Sequence, residues 1–155
     1  MRAIVNSPEP STFKATKASL AEFPALDGQS VSFAVLQYPA NSISDPHTHP
    51  CYAELLFLLL GTVEVGFIDT TNKLFTKVLQ PPDVLVFPMG LVHYRYHSVE
   101  KNYSAAVSAF GSSCANTTQA SIKYMEALTM PWSHVGLCVC ERGKHLAMLI
   151  GGNDL

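Results

Sequence analysis

His47-Thr48-His49 is followed by Glu54, and a further imidazole, His93, stands about forty residues on. Two positions apart on an extended chain, His47 and His49 send their side chains from the same face. Glu54 has the opposite parity to His49. It converges with the pair only where the chain bends, and Pro50 supplies a place for the bend. His93 must arrive from a separate segment, after the turn Pro88-Met89-Gly90. Three neutral nitrogens and one carboxylate oxygen suit a divalent first-row ion and suit Mg²⁺ or Ca²⁺ poorly. The donor set leaves Mn²⁺, Fe²⁺, Cu²⁺ and Zn²⁺ open. Around six-coordinate Mn²⁺ or Fe²⁺, four protein ligands leave two positions for water, dioxygen or a chelating substrate, whereas tetrahedral Zn²⁺ would be closed and structural. Any one of these histidines taken alone reads more readily as an ordinary surface or core histidine.

The segments that would position these residues are short and extended. Ser30 to Leu36 alternates and ends at Tyr38-Pro39, and Asn41 to Pro46 is a turn-rich approach to the histidines. Glu54 to Leu60, Val63 to Ile68, Leu74 to Leu79, Val84 to Phe87, His93 to His97 and Ser104 to Phe110 read as strands. Gly61-Thr62, Asp69-Thr70-Thr71-Asn72, Gln80-Pro81-Pro82-Asp83 and Pro88-Met89-Gly90 separate them as turns. Strands at this spacing, punctuated by Gly, Pro and Asn, predict an all-β barrel or sandwich. Residues 1–20 read as an arm, 21–113 as the barrel and 114–155 as a tail, with a short helix over Ser121 to Met130 and apolar, aperiodic stretches at Val135 to Cys140 and His145 to Ile150.

Composition fits one globular domain: 155 residues, 48% hydrophobic, 14% charged. A net charge of −2 offers no basic face for nucleic acid. The longest apolar run, Leu55 to Leu60, is far short of the ~20 residues that span a bilayer. The first residues lack the apolar stretch of a signal peptide, so the chain taken literally is cytosolic, or else it is a fragment or mature form without its leader. Cys51, Cys114, Cys138 and Cys140 have no Cys-x-x-Cys spacing and do not make a disulfide scaffold. Cys51, close to His49, reads as a packed inert thiol, with redox sensitivity as the alternative. Met89 reads as a pocket or core filler, and His134 and His145 receive no role. Asn102-Tyr103-Ser104 and Asn116-Thr117-Thr118 are acceptor triplets for glycosylation in a secreted protein.

At the histidines the sequence resembles the germin-like proteins of plants, within the cupin superfamily. That family's first motif is Gly, five residues, His-x-His, three or four residues, Glu, six residues, Gly; His47, His49, Glu54 and Gly61 fall in its register. The second is Gly, five residues, Pro-x-Gly, two residues, His, three residues, Asn, matched by Pro88, Gly90 and His93. The flanks Phe23-Pro24-Ala25-Leu26-Asp27-Gly28 and Thr71-Asn72-Lys73-Leu74-Phe75 agree as well, over roughly residues 18–113. Three motif positions depart. Asn41 and Pro82 replace glycines, and His97 stands where Asn is expected. Asn tolerates positive φ and Pro does not, so Pro82 requires a different local turn. His97 shares parity with His93 and Arg95 and reads as an exposed histidine, or else as a base near the pocket.

The resemblance implies a jelly-roll (double-stranded β-helix) barrel with His47, His49, Glu54 and His93 on Mn²⁺, exported to the apoplast. It implies superoxide dismutation, as in some relatives. True germins oxidise oxalate; here Ala34 and Ser44 stand where asparagines would hold that substrate, which disfavours oxalate oxidation. Related cupins bind small carboxylates such as auxin, and Leu56, Leu58, Val86 and Leu91 are candidates to line such a pocket, although apolar strand faces are more often simply core. A wall or storage glycoprotein, with a metal that only stabilises the barrel, is the third reading. Germin-like chains carry a leader, an N-terminal disulfide and C-terminal helices that clasp subunits into hexamers. This sequence matches none of the three, so a monomer or dimer is expected in place of a hexamer.

Overall fold

A computed structural model describes residues 9–98, 102–114, 116–119, 137–139 and 146–148. Its strands are β1 (Lys14–Ala18), β2 (Ser32–Tyr38), β3 (Ser42–Thr48), β4 (Glu54–Leu60), β5 (Val63–Ile68), β6 (Leu74–Leu79), β7 (Val84–Phe87), β8 (His93–His97), β9 (Ser104–Phe110), β10 (Thr118–Gln119), β11 (Leu137–Val139) and β12 (Leu146–Met148). One antiparallel sheet runs β1-β2-β9-β4-β7 and the other β10-β3-β8-β5-β6, while β11 and β12 pair separately. From β2 to β10 the chain changes sheet at every connection except the β5–β6 hairpin. Strands consecutive in sequence therefore belong to different sheets, which is the logic of a double-sheet barrel.

Side-chain parity builds the core. β9 alternates buried and half-buried residues throughout, and β4 buries Glu54, Leu56 and Leu58 while Leu55, Phe57 and Leu59 face outward. The apolar run from Leu55 to Leu60 is thus one inner face and one outer face, both apolar. Inward residues of both sheets, including Leu36, Tyr38, Leu56, Leu58, Val65 and Phe87, form one cluster. Full burial of a Leu or Phe side chain stabilises by about 1.5–3 kcal/mol.

Local geometry departs from the sequence reading in three places. The approach to the histidines is a strand, β3, with a bulge: Ser44 pairs with Arg95 and His47 with His93, so three steps on β3 face two on β8. Pro46 sits in the irregular stretch, where a missing N–H is tolerated. The arm reading of residues 1–20 meets a strand, β1, which pairs along β2 at the sheet edge. Past residue 113, β10 adds to β3 by pairing Thr118 with Thr48 and Gln119 with His47. The helix expected over Ser121 to Met130, and His134 and His145, lie outside the described residues.

The replaced motif glycines behave as their residue types require. Asn41 adopts φ 54°, and the Pro81–Pro82 peptide is cis in a turn closed by Asp83 N donating to Gln80 O at 2.7 Å. Gly61 is retained for two reasons. Its φ is 77°, and a Cβ there would lie 2.0 Å from Ser104 Oγ.

Candidate metal centre

The bulge aims the histidines. Ser42 and Ser44 face inward before it, and His47 and His49 face inward after it although their parity has changed. The connection 49–53 then carries the chain from one sheet to the other, so Glu54 opens β4 facing back toward them. His93 opens β8 beside β3, and Gly90 N donates to His49 O at 3.0 Å, tying the turn before β8 to the His49 backbone. All four residues are buried, and one ligand atom from each lies within 4.8 Å of every other. Aromatic packing braces them: Phe87 stacks on His93 at 4.2 Å and Tyr52 on His49 at 5.1 Å between ring centroids.

Each imidazole is oriented by a backbone carbonyl. Nδ1 of His47 donates to Asp45 O at 2.6 Å, that of His49 to Asn116 O at 3.1 Å, and that of His93 to Leu91 O at 3.0 Å. A carbonyl only accepts, so each Nδ1 carries the proton and each Nε2 presents its lone pair to the centre. Nε2 of His49 and of His93 face the same carboxylate oxygen, Glu54 Oε2, at 3.0 and 3.2 Å. In neutral imidazoles these are lone pairs against a carboxylate, an arrangement that calls for a cation among them. The donor set therefore fits a divalent first-row metal, with His47, His49, Glu54 and His93 as the residues able to hold it.

Arg95 is the member of the site that sequence reasoning missed. Two residues after His93 on β8, it shares that face and is buried. Its Nη1 donates to Glu54 Oε1 at 2.5 Å and its Nη2 to His47 Nε2 at 2.8 Å. The Ser108 hydroxyl also donates to Glu54 Oε1. Burial alone would push the Glu54 carboxyl up; the charge of the Arg95 guanidinium reverses this and holds it well below the usual carboxylate range. Burial, reinforced by the Arg95 charge, drives His47 down to about 3. Burial also lowers His93, against the pull of Glu54. Near neutral pH His47 and His93 are neutral beside an ionised carboxylate. The signal for Arg95 was its parity with His93, outweighed by the rule that a charged residue lies outside.

A pocket of about 360 Å³ opens on His47, His49 and Arg95 and is lined also by Ala34, Ser44 and Phe110. Of the apolar residues offered from sequence as pocket lining or simply core, Leu56 and Leu58 are core, Val86 pairs with Leu55 on the outward face at 52% exposure, and neither these nor Leu91 line this pocket. Met89, read as a filler, is 53% exposed. His97, read as exposed, is fully buried, with Nδ1 2.7 Å from Thr62 O and Nε2 2.7 Å from Asn102 O. It clasps the turn after β4 to the start of β9 and lies away from the pocket lining. Cys51, read as a thiol, is disulfide-bonded, as is Cys114. Asn102 and Asn116 are exposed.

Two five-stranded antiparallel sheets closing on a buried three-histidine, one-carboxylate cluster are the mark of a cupin. The sequence profile described as Cupin matches residues 5–130, and the chain belongs to that family. Its curated relatives are germin-like proteins. Germin-like protein 9-2 of Oryza sativa subsp. japonica is 53% identical over 107 residues, 69% of this chain and 50% of that one. Germin-like protein 9-3 of the same plant is 54% identical over 105 residues, 68% of this chain and 49% of that one. The chain spans about half the length of these relatives. A solved oxalate oxidase structure, described by its insights into that enzyme's mechanism, aligns with a TM-score of 0.67 at 25% identity, covering 74% of this chain and 57% of that one.

Proposed function

We propose that the chain is a manganese-binding germin-like cupin of the extracellular matrix whose centre dismutates superoxide. The observation that carries the metal reading is the facing of His49 Nε2 and His93 Nε2 onto Glu54 Oε2, with every Nδ1 fixed by a backbone carbonyl. Bound Mn²⁺ would supply one-electron redox chemistry to superoxide. The protein's own part is to hold the His47 and His93 imidazoles neutral, keep the carboxylate ionised and leave a pocket open at His47 and His49. Arg95 in that pocket favours entry of a small anion.

Oxalate oxidation is disfavoured. The solved neighbour is an oxalate oxidase, but here Ala34 and Ser44 line the pocket and offer no amide to a dicarboxylate. The disulfide bonding of Cys51 and Cys114 favours an oxidising compartment, and exposure of Asn102 and Asn116 is compatible with glycosylation. A second reading, capture of a small carboxylate of the auxin kind, is favoured by the pocket volume together with Phe110, Leu36 and Arg95 in its wall.

The test is dismutation by the Mn²⁺-loaded protein above the free-ion background. Activity that disappears in His49→Ala supports the enzyme. Full metal occupancy without dismutation overturns it, and metal-dependent binding of a carboxylate would then favour the second reading.

A further inference from the structure

Arg95 divides the four-residue cluster into two halves. On one side, Glu54 Oε2 faces His49 and His93, and those lone pairs have no proton to share. On the other, Glu54 Oε1 and His47 Nε2 are both satisfied by one guanidinium, at 2.5 and 2.8 Å. The fork of Arg suits this double contact, and its charge is permanent. A dication therefore meets His47 with its lone pair already accepting a hydrogen bond, and meets Glu54 with half its charge compensated. Arg95 is also incompletely held, since its buried Nε has no hydrogen-bond partner among the described residues.

We propose that Arg95 is a resident cation that keeps His47 out of the ligand set and sets the metal affinity of the centre. The first ligands are His49, His93 and Glu54 Oε2, and His47 joins only when Arg95 releases it. The proposal rests on the metal-centre reading and goes beyond it. It makes affinity, and the number of histidines engaged, a property of a residue that is not itself a ligand.

The test is Mn²⁺ affinity, read from loss of the free-ion electron paramagnetic resonance signal during titration of the full chain. Wild type, Arg95→Gln, His47→Ala and the double variant are compared. Arg95→Gln is expected to bind at least ~10-fold more tightly than wild type, because a like charge has been removed from the cluster. His47→Ala should cost less than ~3-fold in wild type and more than ~10-fold in the Arg95→Gln background, since only there is His47 free to ligate. Arg95→Gln binding equal to or weaker than wild type overturns the proposal, as does an equal His47→Ala effect in both backgrounds. Should Arg95→Gln not fold, Arg95→Lys carries the test. It keeps the charge without the fork, so a His47→Ala cost above ~10-fold in the Arg95→Lys background supports the proposal, and a cost equal to that in wild type overturns it. If wild type binds no Mn²⁺, Zn²⁺ or other first-row ion, the metal-centre reading falls and this inference with it.

Discussion

Glu54 is the residue on which the centre turns, because it meets Arg95, His49 and His93 at once. Its burial is tolerable only with that company, since an ionised carboxylate without partners costs several kcal/mol in a protein interior. His47 and His93 are buried neutral, and this fixes a pH dependence for the metal-free protein. In the unfolded chain histidine titrates near ~6.5 and glutamate near ~4.3. Folded His47 titrates at about 3, and folded His93 and Glu54 below their ordinary values. Between these limits the unfolded state binds more protons, so stability is full above ~6.5 and falls as pH drops toward the folded values. The urea midpoint of metal-free protein should therefore be lower at pH 5 than at pH 7. A midpoint unchanged between them contradicts the buried neutral histidines.

The strands explain which parts of this were legible in the sequence. Turn residues at both ends marked β4 to β9 at their observed bounds, including β6, which is exposed at every position but Leu79. β3 was hidden by its own function: the bulge that aims His47 inward breaks the alternation, and Pro46 reads as a breaker. β1 was hidden because a mostly exposed edge strand, Lys14 to Ala18, carries no apolar period. The four clustered residues were legible as a motif, while Arg95 was not. Its burial depends on a carboxylate 41 positions away, which no local pattern records. His97 failed for the same reason, as its partners are the carbonyls of Thr62 and Asn102. At Gly61 local rule and fold agree. Gly61→Ala would put a methyl onto Ser104 and force φ 77° on an alanine, for an expected loss of about 1–3 kcal/mol. Equilibrium urea unfolding checks it, and a loss below ~0.5 kcal/mol would show that the β4–β5 turn relaxes freely.

At the scale of the whole molecule, a chain spanning about half of its rice relatives' length brings together all four residues of a cluster able to hold a metal. Disulfide bonding of Cys51 and Cys114 constrains the chain near His49 and after β9. Reduction should lower stability by ~2–5 kcal/mol, seen as a fall in melting temperature with reductant, and an unchanged melt would show that this bonding adds nothing. Neutral imidazoles, an ionised carboxylate and a mouth to solvent amount to function only if an ion is held there. Elemental analysis of the full chain, purified without added metal and then dialysed against Mn²⁺, tests this most directly. About one equivalent of a first-row ion per chain, lost in His93→Ala while the fold is retained, is the expected result. A folded wild-type protein with no stoichiometric metal before or after dialysis would contradict it.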